Sequence, residues 1–115
     1  MSVVIGWDIG GAHLKAARVR AGRVEATAQA ATPLWLSLDS LGTAFDALNA
    51  QLGRADDHVV TMTGELCDAF ASRKEGVAGL ASIAGRCLAP AIPRLYAGRA
   101  AQLGVQRVEG GFEGV

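Results

Sequence analysis

The segment from Ile5 to Lys15 is the part of the sequence that most constrains what this chain can fold into. It completes an apolar run, passes through Asp8, Gly10 and Gly11, and reaches the lysine seven residues after the acid. An acid at a strand end is suited to holding Mg²⁺ through water, because this ion dehydrates reluctantly. Glycines let backbone N–H groups approach phosphate oxygens, and lysine adds a positive charge. The segment therefore predicts a phosphate site, with Asp8 as metal anchor and Gly10, Gly11 and Lys15 as phosphate ligands.

The alternative at this segment is that Asp8 only caps a tight hairpin turn. Two better-known phosphate loops do not fit, since a Walker loop and a dinucleotide turn both join a strand to a helix. In this chain the glycines are expected to join two strands.

The composition predicts one soluble globular domain. The chain has 115 residues, half of them hydrophobic, and a formal net charge of zero. It has no basic run and no apolar run of the roughly 18 residues that span a bilayer, so we expect a cytoplasmic protein with no nucleic-acid or membrane partner. Cys67 and Cys87 are expected to be reduced thiols, and His13 and His58 give little support for a zinc site.

Three strands are predicted before the first helix. Residues 3–9 are almost continuously apolar, which favours a central strand buried on both faces. Residues 14–20 form a second strand after the glycines, and residues 24–29 alternate with the period of a strand that has one wet face. Short turns between them predict an antiparallel meander.

Two amphipathic helices are predicted further along the chain. The first has apolar residues at helical spacing, with Ser37 or Asp39 as its N-cap and Gly53 as its C-cap; its stripe comprises Leu38, Leu41, Phe45, Leu48 and Leu52. The second begins at a capping box formed by Ser72 and Glu75 and ends before a proline. Residues 58–63 and 94–97 are the remaining strands.

The order strand, strand, strand, helix, strand, helix, strand predicts an α/β fold, a mixed five-stranded sheet with helices on its faces. Open sheets of this kind bind ligands at the carboxyl ends of their strands, where residues 8–11 and 64–68 are expected to meet. Glu65 or Asp68 is then a second carboxylate for metal binding or general-base catalysis. The alternative is a polar loop between a strand and a helix.

The spacing Asp8-x-Gly10-x-x-x-x-Lys15 resembles the first phosphate motif of the actin-like ATPase and sugar-kinase superfamily. This resemblance implies a ribonuclease-H-like (actin-like ATPase) half-domain, and it makes ATP a candidate ligand beside Mg²⁺.

Longer segments resemble the hydantoinase/oxoprolinase-type proteins of tetrahydromethanopterin-linked one-carbon metabolism. They are residues 5–17, 33–35, 60–66 and 94–98, so the resemblance covers residues 3 to about 98. It implies a methanofuran-biosynthesis synthase, which joins an aminomethylfuran methyl diphosphate to the phenol of γ-glutamyltyramine and releases diphosphate. Asp8 would then hold the Mg²⁺ of the diphosphate, and Glu65 would deprotonate the phenol.

Family members continue into a second half that closes the cleft. We therefore expect residues 1–98 to be the phosphate-binding domain, residues 99–115 to be a divergent tail, and the chain to work with a missing second half or by self-association. Alternative functions are an ATP-dependent kinase or amidohydrolase of the same superfamily, or a non-catalytic assembly module. Whether the lone chain is an enzyme stays open at this point.

Overall fold

The computed structural model describes residues 2–34, 36–62, 71–97 and 106–107 as a sheet packed against two helices. The strands are β1 (Val3–Ile9), β2 (His13–Arg20), β3 (Arg23–Ala31), β4 (Asp57–Met62), β5 (Arg94–Ala97) and β6 (Gln106–Arg107). The helices are α1 (Asp39–Leu52) and α2 (Arg73–Leu88). The expected small α/β domain with a mixed sheet and two helices is confirmed, and the short β6 is an addition to the predicted elements.

The sheet has the spatial order β3-β2-β1-β4-β5-β6. β1, β2 and β3 form an antiparallel meander, whereas β4 pairs parallel with both β1 and β5. The β2–β3 turn places Ala21 at φ 52° and Gly22 at φ 75°, and positive φ angles at both turn residues match the twist of a tight hairpin. β1, β3, β4 and β5 all run in one direction, so their carboxyl ends share one side of the sheet, which we call the carboxyl edge.

The core of the described residues lies on one face of the sheet. Along β1, Ile5, Trp7 and Ile9 are buried under the helices, whereas Asp8 is exposed. Both helices contribute to this single core, mainly through Leu41, Phe45 and Leu48 of α1 and Val77, Leu80 and Ala84 of α2. Among the described residues both helices pack on one face of the sheet, so the prediction of a first strand buried on both faces is wrong there. Its apolar outward-facing residues, Val4 and Gly6, are only half-buried.

The helix ends follow the predicted chemistry with one change. Ser37 precedes α1 by two positions, and its hydroxyl accepts the Asp39 N–H at 3.2 Å. The N-cap position itself is occupied by Leu38, whose side chain makes no capping hydrogen bond. Gly53 ends α1 at φ 79°, as expected for a C-cap glycine. At the start of α2 the Ser72 hydroxyl accepts the Glu75 N–H at 3.1 Å.

Neither helix in the described ranges has the length and apolarity of a membrane-spanning segment. Cys87 is a half-buried free thiol, and burial raises its pKa. Cys67 lies outside the described residues, as does most of the predicted tail at 99–115.

Arg18 on β2 joins three elements. Its guanidinium donates hydrogen bonds to the carbonyls of Leu52 at 2.9 Å and Arg54 at 2.6 Å, at the end of α1. It also pairs with Glu25 of β3 at 3.0 Å, and its side chain is 18% exposed. Arg20 pairs with the same carboxylate at 2.7 Å but is 45% exposed. A cation at a helix C-terminus satisfies free carbonyls and opposes the helix dipole, so Arg18 fixes α1 to the sheet.

Replacing Arg18 should therefore cost more stability than replacing Arg20. Arg18→Met should lower the free energy of unfolding by about 1–2 kcal/mol, since two charged hydrogen bonds to carbonyls are lost. Arg20→Met, which removes only an exposed ion pair, should lower it by about 0–1 kcal/mol. Urea unfolding of both variants measures the difference. Equal losses would show that Arg18 does not hold the helix end.

Candidate functional site

The strand registers align five side chains in one row on the sheet face opposite the described helices. Lys15 is the register partner of both Gln29 and Asp8, and Thr61 is the partner of both Asp8 and Tyr96. Register partners have side chains on the same face, so these five residues form what we call the polar row. It crosses β3, β2, β1, β4 and β5 close to the carboxyl edge.

Asp8 and Lys15 lie side by side in the polar row and are both exposed. The Thr61 hydroxyl lies 3.4 Å from a carboxylate oxygen of Asp8 and 3.3 Å from the carbonyl oxygen of Trp7, so its single proton can be donated to either acceptor. Within the described ranges, neither Asp8 nor Lys15 takes part in an ion pair. As far as the described part of the chain is concerned, a carboxylate and an ammonium group are therefore both available to a ligand.

The β1–β2 hairpin tip stands next to the polar row. The Gly10 N–H donates to the carbonyl of His13 at 2.9 Å, and the carbonyl of Gly11 accepts the Leu34 N–H at 3.4 Å. Gly10 was expected to offer its N–H to phosphate, but the turn already uses that donor. The N–H groups of Gly11 and Ala12 have no acceptor among the described residues. The donors that the tip can offer an anion are thus those of Gly11 and Ala12.

His13 is a candidate ligand contact that sequence reasoning missed. It was considered only for zinc, yet it is exposed and lies two residues before Lys15 in β2. Alternate residues of a strand share a face, so His13 and Lys15 project from the same side of the sheet. That period-two spacing was the signal in the sequence.

Among the described residues, Asp8 is the one carboxylate of the polar row that could hold a metal. The described residues contain no cluster of three or more acidic, histidine or cysteine ligands. Mg²⁺ commonly binds through one or two carboxylates together with water and substrate phosphates, so the exposed Asp8 is compatible with a hydrated ion. The predicted second carboxylates, Glu65 and Asp68, lie outside the described residues.

A buried pair supports the polar row from beneath. The Trp7 indole N–H donates to Nδ1 of His58 at 3.0 Å, between β1 and β4. The Trp7 ring also packs against Phe45 of α1, with ring centroids 4.8 Å apart. The two strands that carry Asp8 and Thr61 are thus tied together in the core directly below the site.

A scan against models of protein families finds no match, and a search of the curated proteins finds no similar sequence. The function of the chain is therefore inferred from the polar row, the hairpin tip and the motifs in the sequence.

The burial of His58 makes stability depend on pH. Burial lowers the pKa of His58 below its ordinary value of 6.5, and Asp57 partly opposes this shift. The fold therefore favours the neutral imidazole, whose Nδ1 accepts the indole N–H. Its contribution is present above pH 6.5 and is lost as pH falls through the lowered pKa, by up to about 1.4 kcal/mol per pH unit.

The measurement is urea unfolding of the protein and two single variants between pH 7.5 and 5. His58→Gln should flatten the decline of stability with acidity, whereas replacing the exposed His13 by glutamine should leave it unchanged. If stability still declines with acidity in His58→Gln, titratable groups other than His58 cause the decline.

Proposed function

We propose that the chain is a ribonuclease-H-like (actin-like ATPase) half-domain that binds the Mg²⁺ complex of a diphosphate ester. The fold assignment is supported by the antiparallel meander followed by two parallel crossovers, with β1 at the centre of the sheet. We assign its reaction class by the motif resemblance, as the N-terminal half of a methanofuran-biosynthesis-type synthase. In that reaction a phenol displaces diphosphate from an aminomethylfuran methyl diphosphate.

The observation that carries this proposal is that, among the described residues, Lys15 and Asp8 have no ion-pair partner and lie beside two backbone N–H groups without an acceptor. Lys15 and the N–H groups of Gly11 and Ala12 supply positive charge and hydrogen bonds for phosphate oxygens. Asp8 is the complementary group for a cation, and the Thr61 hydroxyl orients its carboxylate. Donors for an anion and an acceptor for a metal thus lie within one corner of the carboxyl edge, where open α/β sheets bind ligands.

This arrangement suits a reaction with a diphosphate leaving group. The carbon–oxygen bond to the diphosphate breaks, the phenol oxygen takes its place on that carbon, and the phenolic proton passes to a base. Lys15 and the hairpin N–H groups lower the barrier by stabilising the negative charge that accumulates on the departing diphosphate. A bound Mg²⁺ would offset part of the same charge. Glu65, outside the described residues, is our candidate for the base.

Calorimetric titration of the purified chain with inorganic diphosphate tests the proposal. Heat of binding is expected in the presence of Mg²⁺. Lys15→Met should weaken this binding at least tenfold, or about 1.4 kcal/mol, because it removes the charge while keeping the length of the side chain. Lys74, the only other lysine in the sequence, is exposed in the first turn of α2, so Lys74→Met is the matched control.

Two further arms separate the roles of metal and nucleotide. Asp8→Asn should remove most of the enhancement that Mg²⁺ gives to diphosphate binding, while binding without metal persists. Diphosphate should compete with ATP on at least equal terms, because the chemistry places recognition on the phosphates. No heat with the unmodified chain, or equal weakening by both lysine variants, would refute the proposed function. Strong preference for ATP would favour the kinase alternative.

A further inference from the structure

The side chain of His13 is exposed and has no partner among the described residues. Its imidazole takes part in no hydrogen bond, ion pair or ring contact with them. The register partner of His13 on β3 is Ala31, whose methyl group is too small to cover an imidazole. The ring is therefore accessible from the sheet face that carries the polar row.

His13 lies between the two groups of donors that the proposed function assigns to the diphosphate. On one side is Lys15, two residues further along β2 and on the same face, roughly 6.5 Å away along the strand. On the other side is the hairpin tip, where the Gly10 N–H donates to the carbonyl of His13 at 2.9 Å. A diphosphate that contacts both Lys15 and the N–H groups of Gly11 and Ala12 would lie beside the imidazole.

The charged groups around His13 favour a protonated imidazole once an anion is bound. Lys15 on β2 opposes protonation, whereas Asp8 of β1, the register partner of Lys15, favours it. Residues 29–34 of β3 and the loop beyond it carry no charge. Histidine is the side chain whose charge ordinarily changes between pH 5 and 8. An anion beside it favours the charged form, so binding of the anion is linked to uptake of a proton.

We propose that His13, when protonated, is a second cation of the phosphate site and forms a hydrogen bond to the bound diphosphate. The proposal rests on the proposed function, because it assumes that the diphosphate lies on Lys15 and the hairpin tip. A protonated imidazole has two N–H donors and a positive charge, and hydrogen bonds from such a group to phosphate oxygens are short and strong. The site therefore binds diphosphate more tightly as the imidazole takes up its proton.

Calorimetric titration with inorganic diphosphate and Mg²⁺ at pH 7.5 and pH 6 tests this role. Comparing the unmodified chain with His13→Gln at each pH cancels the titration of the diphosphate itself. His13→Gln should weaken binding less than about twofold at pH 7.5 and roughly five- to tenfold at pH 6, where the imidazole it replaces is charged.

Two variants with or without a permanent charge are the matched controls. His13→Lys should bind more tightly than the unmodified chain at pH 7.5 and about equally at pH 6, because lysine stays charged at both. Lys15→Met should weaken binding by a similar factor at both pH values for the same reason.

The outcomes separate failure of this proposal from failure of the proposed function. If the unmodified chain binds no diphosphate at either pH, the proposed function is refuted, and the role of His13 with it. If Lys15→Met weakens binding but His13→Gln has no effect, or the same effect at both pH values, only the proton-dependent role of His13 is refuted. A His13→Lys variant that binds more weakly than the unmodified chain at pH 7.5 would also overturn that role.

Discussion

Burial of Trp7 is the interaction on which the rest of this structure depends. Its side chain is 1% exposed, packs on Phe45 of α1, and donates its indole N–H to His58 of β4. One residue of the central strand thus touches a helix and the neighbouring parallel strand at once. Because the indole N–H is polar, it needs an acceptor when buried. His58 of β4 is this acceptor. The bond therefore favours the alignment of β4 and β1 that places His58 beside Trp7 in the core.

The site follows from the same constraint through the period of a strand. With Trp7 directed into the core, Gly6 and Asp8 must project from the opposite face. A slip of one residue would bury Asp8 and expose Trp7, so the core enforces the alignment of the polar row. The pairing of Asp8 with Lys15 and with Thr61 is then set by the backbone ladders. The position of each charged group is therefore fixed mainly by apolar packing on the other side of the sheet.

Local patterns in the sequence predicted the individual strands and helices better than they predicted how these elements pair and pack. The strands ending near Ile9 and Arg20, and the helix ending at Gly53, follow from apolar periodicity and cap residues. That the described helices cover only one face of the sheet was not predicted, because Val4 and Gly6 are apolar whether or not anything covers them. The polar row was missed since register depends on pairing between distant segments. The use of the Gly10 N–H in the turn was missed because a Gly-Gly pair indicates freedom of the backbone and not its hydrogen bonds.

Asp8 and Lys15 are register partners that form no ion pair with each other, and this bears on how the proposed site would bind both ions of a metal phosphate. An exposed ion pair between register partners would contribute only about 0–1 kcal/mol, and it would have to break before either group met a ligand. Here the Thr61 hydroxyl, whose proton lies within reach of Asp8 and of the Trp7 carbonyl, is a neutral partner for the carboxylate instead. Among the described residues Lys15 has no ion-pair partner, so in the proposed site no such pair would have to break before Lys15 met an anion. In the proposed site, a hydroxyl at position 61 would thereby allow opposite charges on neighbouring strands to contact different parts of one ligand.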